Sequence, residues 1–207
     1  MVDARILRTR AALHRAILEL AAEKPLAEIT VSEFTDRAGI NRVTFYKHYA
    51  APADALAAAL EPELEVIRER FVADPDSLTA EPLEVFQHGV NDILDHVEAH
   101  RPIYLGSPAS GGDGGPADVL SRLTVGTFKH YLERRALWEP ALPDIDHDVV
   151  SAFYGHGLAA AILHWLQSGD PDREAFLRSM IVLVPDWWFP AAHTPQEGVD
   201  AVLAASA

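Results

Sequence analysis

No cysteine occurs among the 207 residues. That absence removes disulfides, thiolate metal sites and thiol catalysis together, and it agrees with a reducing compartment. Long apolar runs are also missing. The longest, FYGHGLAAAILHWL at 153–166, carries two histidines and is shorter than the roughly 20 residues that span a bilayer as a helix. The opening MVDARILRTRAALHRAILEL sets Arg15 and Glu19 inside its apolar pattern, which makes a poor signal sequence. A soluble, cytoplasmic protein without a membrane partner is the expectation. Catalytic motifs are absent as well. There is no Gly-x-Ser-x-Gly elbow and no His-Glu-x-x-His, and SGGDGG at 110–115 is not followed by the Lys-Ser/Thr of a phosphate loop. Neither enzymatic activity nor a cofactor is expected. Positive charge is scarce: 17 Lys and Arg face 31 Asp and Glu, for a net charge of −14.

What is present is unevenly placed. Residues 1–50 hold eight basic against six acidic side chains, a balance of +2, while 51–207 hold nine against twenty-five, a balance of −16. An acidic surface keeps a protein soluble, but the asymmetry also fits a chain in which one end meets a polyanion. The basic, aromatic stretch TDRAGINRVTFYKHYA at 35–50 lies in that end. With 49% apolar residues, the chain can bury a sizeable core.

Helical periodicity runs throughout. Leu13, Ile17 and Leu20 mark a helix over 5–23, stopped by Pro25. Thr30 with Glu33 forms a capping box for a short helix over 31–38. Gly39 then stands where a left-handed residue ends a helix, and Asn41 is a good N-cap for another helix over 42–48. Helix, short glycine turn and helix make a helix-turn-helix unit, with Val31, Phe34, Ala38, Ile40, Phe45 and Tyr49 as its small core. Arg42, Val43, Thr44, Tyr46, Lys47 and His48 then face outward. In a DNA-binding unit of this kind the second helix enters the major groove. Arg42 suits guanine edges, and Val43 and Thr44 a thymine methyl. Tyr46, Lys47 and His48 suit phosphates, as does Thr30 at its helix N-terminus.

Further on, Pro52 opens a helix with Leu56, Leu60, Leu64 and Ile67 inward. Pro62 should kink or divide it near Leu60. Helices follow over 83–100, 117–137, 147–168 (started by Asp144 or Asp146) and 171–184. Between them, 73–82 and 106–116 read as loops, and the chain from about 191 as a fraying tail. No strand alternation and no internal repeat is found. The fold class is therefore all-α.

The stretch ITVSEFTDRAGINRVTFYKHYAAPADAL resembles the N-terminal signature of TetR-type transcriptional regulators, over about residues 8–60. FYGHGLAAAILHWLQSGDPDREAFLRSM resembles, more weakly, the last two helices of those proteins. The resemblance implies a three-helix helix-turn-helix DNA-binding domain at 1–50 and a helical dimerisation and effector domain at 51–207. It also implies a homodimer on a palindromic double-stranded DNA operator, acting as a repressor released by a small molecule. Asn41 stands where Ser is commoner. Pro52 stands where the family often has a phosphate-binding Lys.

Gly155, Gly157 and Ala159–Ala161 let another helix approach. With the family likeness, they place a dimer seam at Ala160, Leu163, Trp165, Phe176 and Met180. Phe86, Tyr104, Phe128 and Phe153, with His96 and His156 as polar points, are candidates for an apolar effector pocket, unless the aromatics simply fill the core. His130 is a further polar point. Trp187 and Trp188 are read as core caps. His96 and His100, four apart with Asp92 a turn earlier, have a metal-binding spacing. Without supporting Cys or a zinc-protease motif, the reading is partly exposed histidines and no metal. A ligand-independent regulator, or a helical enzyme using Asp92, His96 and His100 for acid–base work, are the alternatives.

Overall fold

A computed structural model describes residues 4–73, 82–106, 115–136, 141–169 and 171–188. Those residues form nine α-helices, one 3₁₀ turn at Leu26–Glu28 and no strand. The helices are α1 (Ala4–Glu23), α2 (Val31–Ala38), α3 (Arg42–Tyr46), α4 (Pro52–Ala73), α5 (Pro82–Ala99), α6 (Arg101–Leu105), α7 (Pro116–Arg135), α8 (His147–Gln167) and α9 (Arg173–Val182). The loops expected at 73–82 and 106–116 lie mostly outside the described residues, and the tail from 191 entirely so.

The first three helices close on Leu13, Ile17, Leu20, Phe34 and Phe45, all fully buried. Phe34 meets Phe45 edge to face, ring centres 5.3 Å apart, a favoured aromatic geometry. Local chemistry fixes the boundaries. Thr30 accepts from the Glu33 amide at 3.3 Å, Gly39 turns left-handed at φ 65°, and Asn41 accepts from the Thr44 amide at 2.8 Å. The capping box is only half made: the Glu33 carboxylate binds Lys24 Nζ at 2.5 Å instead of reaching back to Thr30. The third helix ends at Tyr46, two residues earlier than expected, and 47–48 form a turn.

Helix α4 carries the chain from this unit into the larger bundle, packing on α1, α5 and α7. Pro62 does not divide it, because the helix is continuous from Pro52 to Ala73. Leu60 and Leu64, on either side of the proline, are both buried, so packing keeps the helix continuous across it. α6 was not expected from periodicity. It is a five-residue helix whose Ile103 and Tyr104 are buried, and it touches α1, α5, α7 and α8.

The most extensive packing is between α7 and α8. Gly155 allows it: a Cβ there would fall 2.5 Å from Val125 Cα. Thr124 Oγ1 donates across the same contact to the Gly155 carbonyl at 2.8 Å. The chain after α9 finishes this layer. Trp188, 1% exposed, stacks on Tyr131 at 5.2 Å, and its carbonyl accepts from Tyr131 Oη at 2.7 Å and Arg135 Nε at 3.2 Å. Helix α8 has 21 residues, against the 14-residue run seen in the sequence, and is long and apolar enough by composition to cross a membrane. Here eight of its residues are buried against the bundle.

Candidate nucleic-acid interface and apolar cleft

The α2–turn–α3 unit holds α3 by one side chain, Phe45, and leaves the rest outward. Val43 is 70% exposed and Tyr46 59%. Arg42 and Lys47 are exposed, Thr44 and His48 half-buried, and Thr30 and Asn41 exposed at their caps. All eight residues expected to meet DNA therefore lie at the N-cap of α2, along α3 with its cap, and in the turn that follows it. Asn41 is engaged as a cap, which orients the helix rather than a base contact. Arg37, counted in the basic stretch, is turned inward on charge: it donates to Glu23 through two bonds of 2.9 Å and lies 3.6 Å from Glu19. Its hydrogen bond to Glu23 holds that carboxyl below its ordinary value. Arg42 and Lys47 stand outside these pairs. The unit is tied to α1 by His14 Nε2 and Tyr49 Oη at 2.6 Å. Burial, with Arg10 adding to it, lowers the His14 pKa.

In the C-terminal bundle the candidate effector residues separate into two places. Phe86, Phe128 and Phe153 line one cleft of about 210 Å³ together with Tyr154, Met180 and Trp188. Phe86 and Phe128 also line a much smaller cavity between α4, α5, α7 and α8, of about 30 Å³. His96 and Tyr104 belong elsewhere. Tyr104 is sealed in the core, its hydroxyl 3.0 Å from His96 Nε2. His156 is exposed on the outer face of α8. These three, on α5, α6 and α8, do not line the cleft.

The seam residues divide likewise. Leu163, Trp165 and Phe176 are buried within the protomer, where Trp165 packs on Phe176 at 5.9 Å; they fill the core rather than an outer face. Ala160 is exposed, and Met180 is half-buried in the cleft. The outer stripe of α8 runs instead through Val149, Phe153, Gly157 and Ala160, and Phe153 is 73% exposed. Val182 and Leu183 extend that apolar surface at the end of α9.

His96 is not partly exposed, as the sequence suggested, but 5% exposed. Asp92 lies 3.7 Å from Arg70. The group facing the histidines is Glu63 of α4: its Oε2 is 3.1 Å from His96 Nδ1 and 2.9 Å from His100 Nε2. Burial, with the charge of His100 adding to it, pushes His96 down to about 4 against the pull of Glu63, so its ring is neutral at pH 7. Glu63 was missed because it sits 33 residues from His96, where no local spacing could signal it.

Residues 84–183 match a transcriptional regulator C-terminal region of the TetR type. An uncharacterized HTH-type transcriptional regulator, YxbF of Bacillus subtilis (strain 168), is 43% identical over 61 residues, which are 29% of this chain and 16% of that protein. The chain thus spans about a sixth of that relative's length. Among solved structures, a tetR-family transcriptional regulator from Streptomyces coelicolor superposes over 99% of this chain and 90% of its own, with a TM-score of 0.61 and 20% identity. RolR in complex with resorcinol does so over 94% and 92%, with a TM-score of 0.62 and 21% identity. A gamma-butyrolactone receptor (ArpA-like protein) covers 99% and 98%, with a TM-score of 0.51 and 19% identity. An N-terminal helix-turn-helix followed by a larger all-α C-terminal bundle is the fold this chain shares with these structures. Over residues 84–183 the chain is similar to that C-terminal region, and in fold it is similar to the tetR-family structures.

Proposed function

We propose that the protein is a cytoplasmic, homodimeric, sequence-specific DNA-binding regulator, a repressor released from a palindromic operator by a small apolar effector. The observation that carries the DNA reading is α3 itself. It is anchored by Phe45 alone, while Arg42, Val43, Tyr46 and Lys47 stand exposed on an end of the chain spared the strong negative charge of the rest. Residues 1–50 make the DNA-binding domain and 51–207 the dimerisation and effector domain, with Pro52 opening the connecting helix.

Arg42, Val43 and Thr44 read base edges in this scheme, and Thr30, Tyr46, Lys47 and His48 hold phosphates. The outer stripe of α8, through Val149, Gly157 and Ala160, with Val182 and Leu183 of α9, forms the seam: an apolar face of this kind on a protein surface marks an interaction site. The cleft at Phe86, Phe128 and Phe153 takes the effector. It supports that reading that two proteins of the same fold are named for small ligands, resorcinol and a gamma-butyrolactone. Catalysis is not part of the proposal, because Asp92 is turned to Arg70 and does not complete an acid–base set with the histidines.

Selection of bound duplexes from a random DNA pool tests the scheme. The expected product is a pseudo-palindrome bound by two protomers. A single asymmetric half-site bound by a monomer, or no enrichment, would overturn it. For the effector, some small apolar compound should lower operator affinity, and the operator should weaken that compound by the same factor. Phe153→Ala should blunt the effect while DNA binding persists. If compounds that bind tightly leave DNA affinity unchanged, the protein regulates without a ligand.

A further inference from the structure

The Glu63, His96 and His100 group lies outside both the DNA face and the apolar cleft. We propose that these three side chains form a site for a divalent first-row transition-metal cation, with zinc as the reference ion, that fastens α4 to the α5–α6 corner. Their ligand atoms lie within 4.8 Å of one another. Two of the separations, 3.1 and 2.9 Å, are close to those between neighbouring ligands around zinc, whose bonds to N and O are about 2.0–2.2 Å. Small side-chain rotations about a central ion complete the set. Two imidazoles and a carboxylate suit this class of metal, and the lack of cysteine excludes a thiolate alternative.

The surroundings suit a bound ion. When His96 binds through Nδ1, its Nε2–H donates to Tyr104 Oη, 3.0 Å away, the outer hydrogen bond that fixes the ring of a metal-bound histidine. Tyr104 is buried and held by α6, so it is a rigid support. On the solvent side, an open concavity is lined by Glu63 and His96 together with Pro62, Val66, Asp92 and Asp95. Arg70 shares that concavity, 3.7 Å from Asp92, and the opening leaves room for water to complete the coordination of the ion. The ligands come from α4, from α5 and from His100, at the junction of α5 with α6. An ion there pins α4 one residue beyond Pro62, and α4 is the helix that packs against α1 of the N-terminal unit.

The test uses the full chain, stripped with a chelator and titrated with zinc alone, and separately with cobalt to read the coordination from its absorption bands. One equivalent per protomer should bind, the cobalt spectrum should show nitrogen–oxygen coordination, and zinc should raise the melting temperature. Glu63→Gln and His100→Ala, at accessible positions, should each weaken binding by about 10-fold or more and cancel the zinc-induced rise. Tyr104→Phe, which removes only the supporting hydroxyl, should cost on the order of 10-fold. His88→Ala and His164→Ala, at exposed histidines elsewhere, should change nothing. Far-UV circular dichroism confirms that each variant is folded. Failure to bind an equivalent of zinc, or equal affinity in wild type, Glu63→Gln and His100→Ala, overturns the proposal. Neither result bears on DNA recognition, which the selection experiment tests by itself.

Discussion

The contact between α7 and α8 allows a test in which one substitution has opposite signs at two places. Gly155→Ala puts a methyl 2.5 Å from Val125 Cα and 2.6 Å from its amide nitrogen. Those are backbone atoms, so no rotamer change relieves the overlap and the helices must separate. Overpacking of this kind costs about 1–3 kcal/mol. Separation also stretches the bond from Thr124 to the Gly155 carbonyl, 2.8 Å long and buried, worth about 1 kcal/mol. Against these, alanine is the better helix former by about 1 kcal/mol. The net loss is about 1–3 kcal/mol, the overlap with backbone placing it toward the upper end. Gly126→Ala, in the middle of α7, meets nothing within 4 Å, so only the propensity gain applies and stability should rise by about 1 kcal/mol. Urea unfolding at one fixed protein concentration reads both, since association couples stability to concentration. The midpoint should fall for the first variant and rise for the second, with unchanged slope. A Gly155→Ala protein as stable as wild type would show that the two helices do not approach as described.

Other outcomes follow from the DNA face, the seam and α1. Arg42→Ala should relax base preference at one operator position by about 1–3 kcal/mol, whereas Lys47→Ala should weaken all sequences alike and flatten the salt dependence; a selected sequence unchanged by Arg42→Ala would refute the base contact. Ala160→Trp should convert the dimer to monomer in sedimentation, since a bulky ring on the outer stripe of α8 blocks a close helix contact; a folded, fully dimeric variant moves the seam elsewhere. His14 has a folded pKa lowered from 6.5 by burial and by Arg10, so the unfolded chain binds its proton more readily than the folded one. Stability from this group should therefore decline as pH falls below about 6.5, and stop declining below the folded value. Melting curves of His14→Gln should lose that part of the slope; an unchanged profile refutes the assignment.

The parts legible in the sequence were those fixed within a few residues. Thr30, Gly39 and Asn41 each act on backbone groups no more than four positions away, and the α2–turn–α3 unit was readable for that reason. Asp146 as the start of α8 was readable on the same grounds, accepting from the amides of Asp148 and Val149. What was not legible depends on which of two apolar faces the rest of the chain covers. α8 is apolar nearly all round, so periodicity could not tell that Leu163 and Trp165 turn inward while Phe153 and Ala160 turn out. Pro62 read as a break because its own chemistry favours one, and the burial of Leu60 and Leu64 overrode it. The five residues of α6 hold their shape through tertiary contacts that no short pattern announces. Glu63 joined His96 and His100 only once α4 had packed on α5.

The seal made by Trp188 has a consequence for how the protein is made. Its carbonyl meets Arg135, 53 residues earlier, and Arg135 is itself 1% exposed. At about 5–20 residues per second of synthesis, α7 waits roughly 3–10 s for the segment that completes its burial. Contacts so distant along the chain also form slowly by loop closure. During that interval Phe128 and Tyr131 lack Trp188, although Phe128 can already meet Tyr154 of α8. A nascent chain halted just after α9 would expose this face, which makes residues 185–188 part of the folding unit rather than an appendage to it.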